Sequence, residues 1–205
     1  MSDVAVWFDL DGTLLAFDDY GAVVEHACVE MGIDPTDAFL EAYYDRFFDA
    51  FRNYHPDPFR AGVERAVMAT GSYVDAVAFV DTIREAEFDA AKVPEAVHDA
   101  LAELEAADGV ALGVLTNGLE EWQRGKLEAN ELLGYFDATL TSYEVGRHKP
   151  APEVFARAEK LLPADEHVMV GDDDEADVAG ARERGWRAIH VDGPESVGDA
   201  VARIR

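Results

Sequence analysis

Val4-Ala5-Val6-Trp7-Phe8 runs directly into Asp9-Leu10-Asp11-Gly12-Thr13-Leu14, an apolar segment that ends in two carboxylates, a glycine and a threonine. A run of this kind belongs to a buried strand. Open α/β sheets hold their ligands at the carboxyl ends of such strands, so the acidic pair stands where chemistry is expected. Asp9 and Asp11 are two positions apart, and strand geometry would point both side chains to one face. Gly12 would let the chain turn sharply beside a bound anion. One carboxylate could then attack as a nucleophile while its neighbour handles the proton. The competing reading is two more acids in a very acidic chain, at a strand end on the surface.

Three further segments follow in order. Val110-Ala111-Leu112-Gly113-Val114-Leu115 leads into Thr116-Asn117-Gly118, a strand ending in a hydroxyl, an amide and a flexible turn. With the backbone N–H groups of the next helix start, these suit a phosphate oxygen, although Thr-Asn-Gly is also an ordinary strand-to-helix turn. Lys149-Pro150 precedes a helix expected over 152–162. Most lysines are solvated, but this chain has only four, and this one lies between a strand and a proline-started helix. Finally, His167-Val168-Met169-Val170 runs into Gly171-Asp172-Asp173-Asp174-Glu175-Ala176-Asp177. Such a cluster offers the hard oxygen ligands that Mg²⁺ prefers, and its acids would also complement the dipole of the following helix.

Taken together, the four segments resemble the motifs of the haloacid dehalogenase-like hydrolase superfamily, mostly Mg²⁺-dependent phosphatases. The resemblance runs from residue 4 to about residue 192. It implies that Asp9 accepts the phosphoryl group and that Asp11 is the general acid and base. Thr116 and Lys149 would hold the phosphoryl group. Asp172 matches the metal ligand and Asp177 the second acid of that motif, so the acids assigned to the metal are Asp9, Asp11, Asp172 and Asp177. Asp173 stands where relatives often carry Ser or Asp. The stretch from Leu115 through Gln123 and Leu127, with Glu144-Val145-Gly146-Arg147-His148-Lys149-Pro150, is most similar to the branch holding nucleotidases and sugar-phosphate phosphatases.

The physical logic agrees with the resemblance. Attack by a carboxylate on a phosphomonoester brings two negative groups together, which requires local positive charge. Mg²⁺, Lys149 and a hydrogen bond from Thr116 would supply it.

Composition limits what surrounds this site. The 205 residues, 49% of them apolar, suffice for an α/β domain with a large insertion. A net charge of −26, from 43 acids against 17 bases, argues against nucleic acid or an anionic membrane surface as a partner. The charge is spread over every predicted helix rather than gathered in a disordered tail. Screening shortens to about 3 Å at 1 M salt, so a halophilic, high-salt cytoplasm is expected, with ordinary acidity as the alternative. The single cysteine, Cys28, cannot form an internal disulfide. Neither a secretory leader nor an apolar membrane span is expected from the sequence, which favours a cytoplasmic location.

A coarse pass gives strand 4–8, then a wholly helical region from about 17 to 90. Within it, Phe39, Leu40, Tyr43, Tyr44, Phe47, Phe48, Phe51 and Tyr54 recur at spacings of three and four, the pattern of an amphipathic helix. Helices 95–107, 119–131, 152–162, 175–184 and 195–204 then alternate with strands 110–116, 138–141, 167–171 and 187–191. This predicts a doubly wound, parallel five-stranded sheet with a Rossmann-like core. The expected organisation is an α/β core of residues 1–16 and 91–205 with an inserted α-helical cap domain at 17–90. In the family such a cap closes over the substrate and reads its leaving group. Arg46, Arg52, His55 and Arg60 are its candidate substrate-binding groups, with Asn117 and Gly118 from the core; Arg147 and His148 stay open.

The expected activity is hydrolysis of a small phosphorylated metabolite by a monomer or homodimer with a magnesium cofactor. A haloacid dehalogenase would lack the acid at Asp11. A sugar phosphomutase remains open, as does a non-catalytic binding module, against which the intact set of Asp9, Asp11, Thr116, Lys149 and Asp172 counts.

Overall fold

Five parallel strands form one sheet in a computed structural model that describes residues 2–19 and 21–204. They are β1 (Ser2–Phe8), β2 (Val110–Thr116), β3 (Ala138–Thr141), β4 (Ala164–Gly171) and β5 (Arg187–His190), in spatial order β3-β2-β1-β4-β5. β1 is central: Phe8 pairs with Val114 of β2 on one side and with Val170 of β4 on the other. The chain winds outward from β1 through β2 to β3, then returns to β1's other side. The carboxyl ends of β1, β2 and β4 therefore meet at a topological switch point.

Alternation along β1 shows why a continuous apolar run was needed. Val6 and Phe8 enter one core with Val97, Leu101, Val197 and Val201, whereas Ala5 and Trp7 enter the opposite core with Val154, Phe155 and Trp186. Both faces are covered by helices, which is the doubly wound arrangement. β4 begins three residues before the apolar signal because Ser2 pairs with Ala164 and Val4 with Glu166. Ladder bonds use backbone groups, so polar residues can extend a strand.

Residues 1–17 with 91–205 form one unit and residues 18–90 a second. The second holds α1 (Ala22–Glu30), α2 (Asp37–Arg52), α3 (Pro58–Thr70) and α4 (Ala76–Ala90). Helix starts after Ala16 later than expected, since Asp19 Oδ1 first accepts the Gly21 N–H at 2.9 Å in a local turn. Thr36 and Asp57 cap α2 and α3, with Pro58 in the first turn of α3 and Gly71 closing it at φ 70°. The aromatic stripe packs internally: Phe39 and Tyr43 are buried, and Phe47 lies 4.8 Å from Phe59 between ring centroids. Tyr54 departs from that stripe, because α2 ends at Arg52 and Tyr54 turns to φ 56°.

In the first unit, Ala16 and Lys92 exchange two backbone hydrogen bonds of 2.9 Å, tying together the strands of chain that lead into and out of residues 18–90. The helices are α5 (Glu95–Glu105), α6 (Glu120–Ala129), α7 (Ser142–Val145), α8 (Pro152–Leu161), α9 (Gly180–Glu183) and α10 (Val197–Ala202). The short α7 escaped the sequence reading, although Thr141 and Glu144 form a capping box there. The helix expected over 175–184 opens instead as a π-helical turn, Asp174–Ala179, in which the Val178 N–H reaches back five residues to the Asp173 carbonyl. The last helix is likewise preceded by a 3-10 turn, Pro194–Ser196. No helix among the described residues is long and apolar enough to cross a membrane.

Candidate active site

At the switch point lies a cavity of about 170 Å³. Asp9, Asp11 and Thr116 line it from the ends of β1 and β2, Lys149 and Asp172 from the loops before α8 and after β4, and Asp177 from the π-helical turn. Residues up to 168 positions apart in sequence converge because parallel strands in register present the same end to one place.

Lys149 is the hub. Its buried Nζ donates to Asp9 Oδ1 at 2.6 Å, Asp177 Oδ1 at 2.6 Å and the Leu115 carbonyl at 2.7 Å, which uses all three of its donors. Burial would lower its pKa, but Asp9 and Asp177 outweigh that and hold the ammonium above its ordinary value. For Asp9 the balance runs the other way: burial pushes its carboxyl up to about 7 against the pull of Lys149, with Asp177 adding to the rise. One lysine does not neutralise this group of acids.

Asp9, Asp172 and Asp177 each offer a carboxylate oxygen within 4.8 Å of the others. With Lys149 they carry a formal excess of two negative charges, and hard oxygen donors of that charge fit a divalent cation such as Mg²⁺. The Thr13 hydroxyl donates to Asp172 Oδ1 at 2.8 Å, and the Asp173 N–H donates to Asp177 Oδ2 at 3.2 Å. Asp173 itself caps the π-helical turn, accepting from the N–H groups of Glu175 and Ala176. Asp11 stands outside this group. Its carboxylate, which the sequence reading also assigned to the metal, accepts from Lys126 Nζ at 2.6 and 2.7 Å and from Gln123 Nε2 at 2.9 Å.

The sequence pattern of haloacid dehalogenase-like hydrolases matches residues 4–185, a span that holds all four motifs. The chain belongs to that family. It is 32% identical over 210 residues to ribulose-1,5-bisphosphate 5-phosphatase of Halopiger xanaduensis, covering 96% of this chain and 87% of that protein. It is 44% identical over 86 residues to phosphoserine phosphatase of Thermus thermophilus, a match that spans 41% of this chain and only 34% of the relative. Among solved structures, the HAD-hydrolase YfnB from Bacillus subtilis, bound to magnesium, is similar with a TM-score of 0.75 over 98% of this chain and 100% of that one; at 18% identity the likeness concerns the fold.

In this hydrolase the remaining residues singled out from sequence fall in two places. Asn117 faces the backbone of Lys149, accepting its N–H at 2.8 Å, and thereby steadies the hub. The Gly118 N–H donates to Ser142 Oγ at 3.0 Å, and Ser142 also bonds His148 Nδ1 at 2.8 Å. Arg147 bonds the Gly146 carbonyl and lies 4.0 Å from Glu153. Arg46, His55 and Arg60 line a separate cavity of about 460 Å³ within the helical unit, where Arg65 joins them and Arg52 does not. Arg46 pairs with Asp49 and Arg60 with Glu64, so these two arginines each have a neighbouring acid.

Thr13, Gln123 and Lys126 were missed as site residues. Lys126 was legible in one respect, as one of the chain's four lysines, placed on a helix that opens with two acids.

Proposed function

We propose that this hydrolase removes the phosphoryl group from a small phosphomonoester, with Asp9 as nucleophile and Mg²⁺ as cofactor. The observation that carries the reading is the convergence of Asp9, Asp11, Thr116, Lys149 and Asp172 on one cavity. An Asp9 oxygen attacks phosphorus, the bond from phosphorus to the ester oxygen breaks, and the departing alkoxide takes a proton from the Asp11 carboxyl. Asp11, now a carboxylate, takes a proton from the water that attacks the aspartyl phosphate, releasing inorganic phosphate and restoring Asp9. Lys149 holds Asp9 in place and offsets charge, while Thr116 donates to a phosphoryl oxygen. Asp9, Asp172 and Asp177 would hold Mg²⁺, which when bound supplies the positive charge that lets a carboxylate approach a phosphoryl group.

Attack on carbon with loss of halide would not use Asp11 as an acid, because a halide leaves without a proton. The names of the relatives, a ribulose-1,5-bisphosphate 5-phosphatase and a phosphoserine phosphatase, support small phosphorylated substrates. The unit of residues 18–90, inserted after the first motif, is assigned the role of a cap, with Arg46, His55, Arg60 and Arg65 as its candidate groups for the leaving group. The charge of −26 fits work in a concentrated-salt cytoplasm.

Asp9→Asn tests the reading in assays with Mg²⁺ and molar KCl against a panel of metabolite phosphates. The wild type should turn over at least one ester, and the variant should lose that activity while keeping its circular dichroism. Beryllium fluoride should inhibit only when Mg²⁺ and Asp9 are both present. A variant retaining most of the activity would refute Asp9 as nucleophile.

A further inference from the structure

We propose that Lys126 and Gln123 are positioning residues that fix the Asp11 carboxyl for proton transfer and aim the Thr116 hydroxyl at the cavity, an inference that rests on the phosphatase reading above. Lys126 is 1% exposed, and lysines are almost never so buried unless paired. Its Nζ donates to both oxygens of Asp11, at 2.7 and 2.6 Å. The Asp11 side chain keeps 32% of its surface exposed while that of Lys126 keeps 2%, so the lysine grips the carboxylate from behind and leaves it facing the cavity.

Gln123 lies three residues earlier on α6, hence on the same face of the helix. Its amide nitrogen donates to Asp11 Oδ2 at 2.9 Å and to Thr116 Oγ1 at 2.8 Å, with the Asn117 carbonyl a longer third contact at 3.4 Å. Because Thr116 Oγ1 accepts that bond, its own proton turns away from Gln123 and is available to a phosphoryl oxygen in the cavity that Thr116 lines. Gly118 makes room for this link: a Cβ there would stand 2.8 Å from the Gln123 side chain. A purely structural ion pair could lie anywhere in the core. This one ends on the acid two residues from the nucleophile, and its neighbouring amide bridges that acid to the hydroxyl opposite.

The geometry makes a claim about proton transfer, which a stability role does not. In the first half-reaction Asp11 gives its proton to the leaving alkoxide; in the second its carboxylate takes one from water. 4-Nitrophenyl phosphate has a leaving group that departs without a proton, whereas glycerol 3-phosphate needs one. In Lys126→Met, kcat/KM should therefore fall at least about tenfold further for the alkyl than for the aryl ester, a part of the roughly 10²–10⁴ that acid–base catalysis contributes. With the aryl ester, Lys126→Met should also release a burst of 4-nitrophenol before a slowed steady state, because hydrolysis of the aspartyl phosphate still needs Asp11. Lys126→Arg should recover part of the alkyl activity. In an Asp11→Asn background, Lys126→Met should add less than about threefold. Burst amplitude per protein counts the folded sites, and if Lys126→Met does not fold, Gln123→Leu reads the same ratio. Equal losses on both esters without a burst would overturn the proposal. A wild-type enzyme that hydrolyses neither these two esters nor any of the metabolite phosphates with Mg²⁺ would overturn the phosphatase reading itself, and this inference with it.

Discussion

Gly12 is where the demands of a single residue are plainest. It sits at φ 92°, and a Cβ there would lie 2.5 Å from Asp172 Oδ2. An L side chain at this position costs about 1–2 kcal/mol in backbone energy alone, and it would also push Asp172 off the Thr13 hydroxyl. Gly12→Ala should therefore lower the melting temperature and raise the Mg²⁺ concentration needed for half-maximal activity. Thermal melts and a Mg²⁺ titration of turnover check both; a variant that matches the wild type in each would show that this turn tolerates a side chain. The glycine of the first motif thus has a spatial meaning that adjacency in sequence only hinted at, because Asp172 is 160 residues away.

At the scale of elements, β4 leads into the acid cluster and carries a histidine, His167, that does not line the cavity. His167 stacks on Trp186 at 4.8 Å between ring centroids, and its Nδ1 is buried without a hydrogen-bond partner among the described residues. Burial holds its pKa below the ordinary 6.5, with Glu159 opposing. In the unfolded chain this histidine takes a proton below about 6.5, which the folded state resists. Its contribution is then whole above that pH and is lost as pH falls toward the lower folded value. His167→Phe removes this term and keeps the stack, so its melting temperature relative to wild type should rise from pH 7.5 to pH 5. An unvarying difference across that range would argue against the assigned titration. Strand positions were legible because apolar runs of this length have few other uses, but the π-helical turn at 174–179 was not. Nothing in Asp-Glu-Ala-Asp-Val-Ala separates π from α winding; the difference accompanies the bonds that draw Asp177 back to Lys149 and the Asp173 N–H.

For the whole molecule the dominant fact is charge. Ion pairs such as Arg60–Glu64 and Arg124–Glu128 are one helical turn apart and exposed, so they do little against a net −26. Repulsion at low ionic strength should be worth several kcal/mol, comparable to a domain's total stability of about 5–15 kcal/mol. The melting temperature should rise steeply from dilute buffer to about 2 M KCl and level off as charges are screened. A flat profile would sink the high-salt assignment and leave the chemistry untouched. Bases are not evenly scattered: residues 46–65 hold four of the 17 bases and three of the 43 acids, the stretch that supplies the larger cavity.

By itself the sequence determined the parallel α/β sheet, its helical insertion and the acids, hydroxyl and lysine at strand ends, because each is a local pattern: an apolar run, a helical period, a motif where a strand stops. The tertiary structure alone decided what those groups hold. Lys149 spans Asp9 and Asp177, Asn117 steadies the Lys149 backbone, and Lys126 with Gln123 holds Asp11. Such pairings join residues 28 to 140 positions apart. They are set by which strand ends the β3-β2-β1-β4-β5 order brings together, and a buried charge settles on whichever partner that order places within about 3 Å.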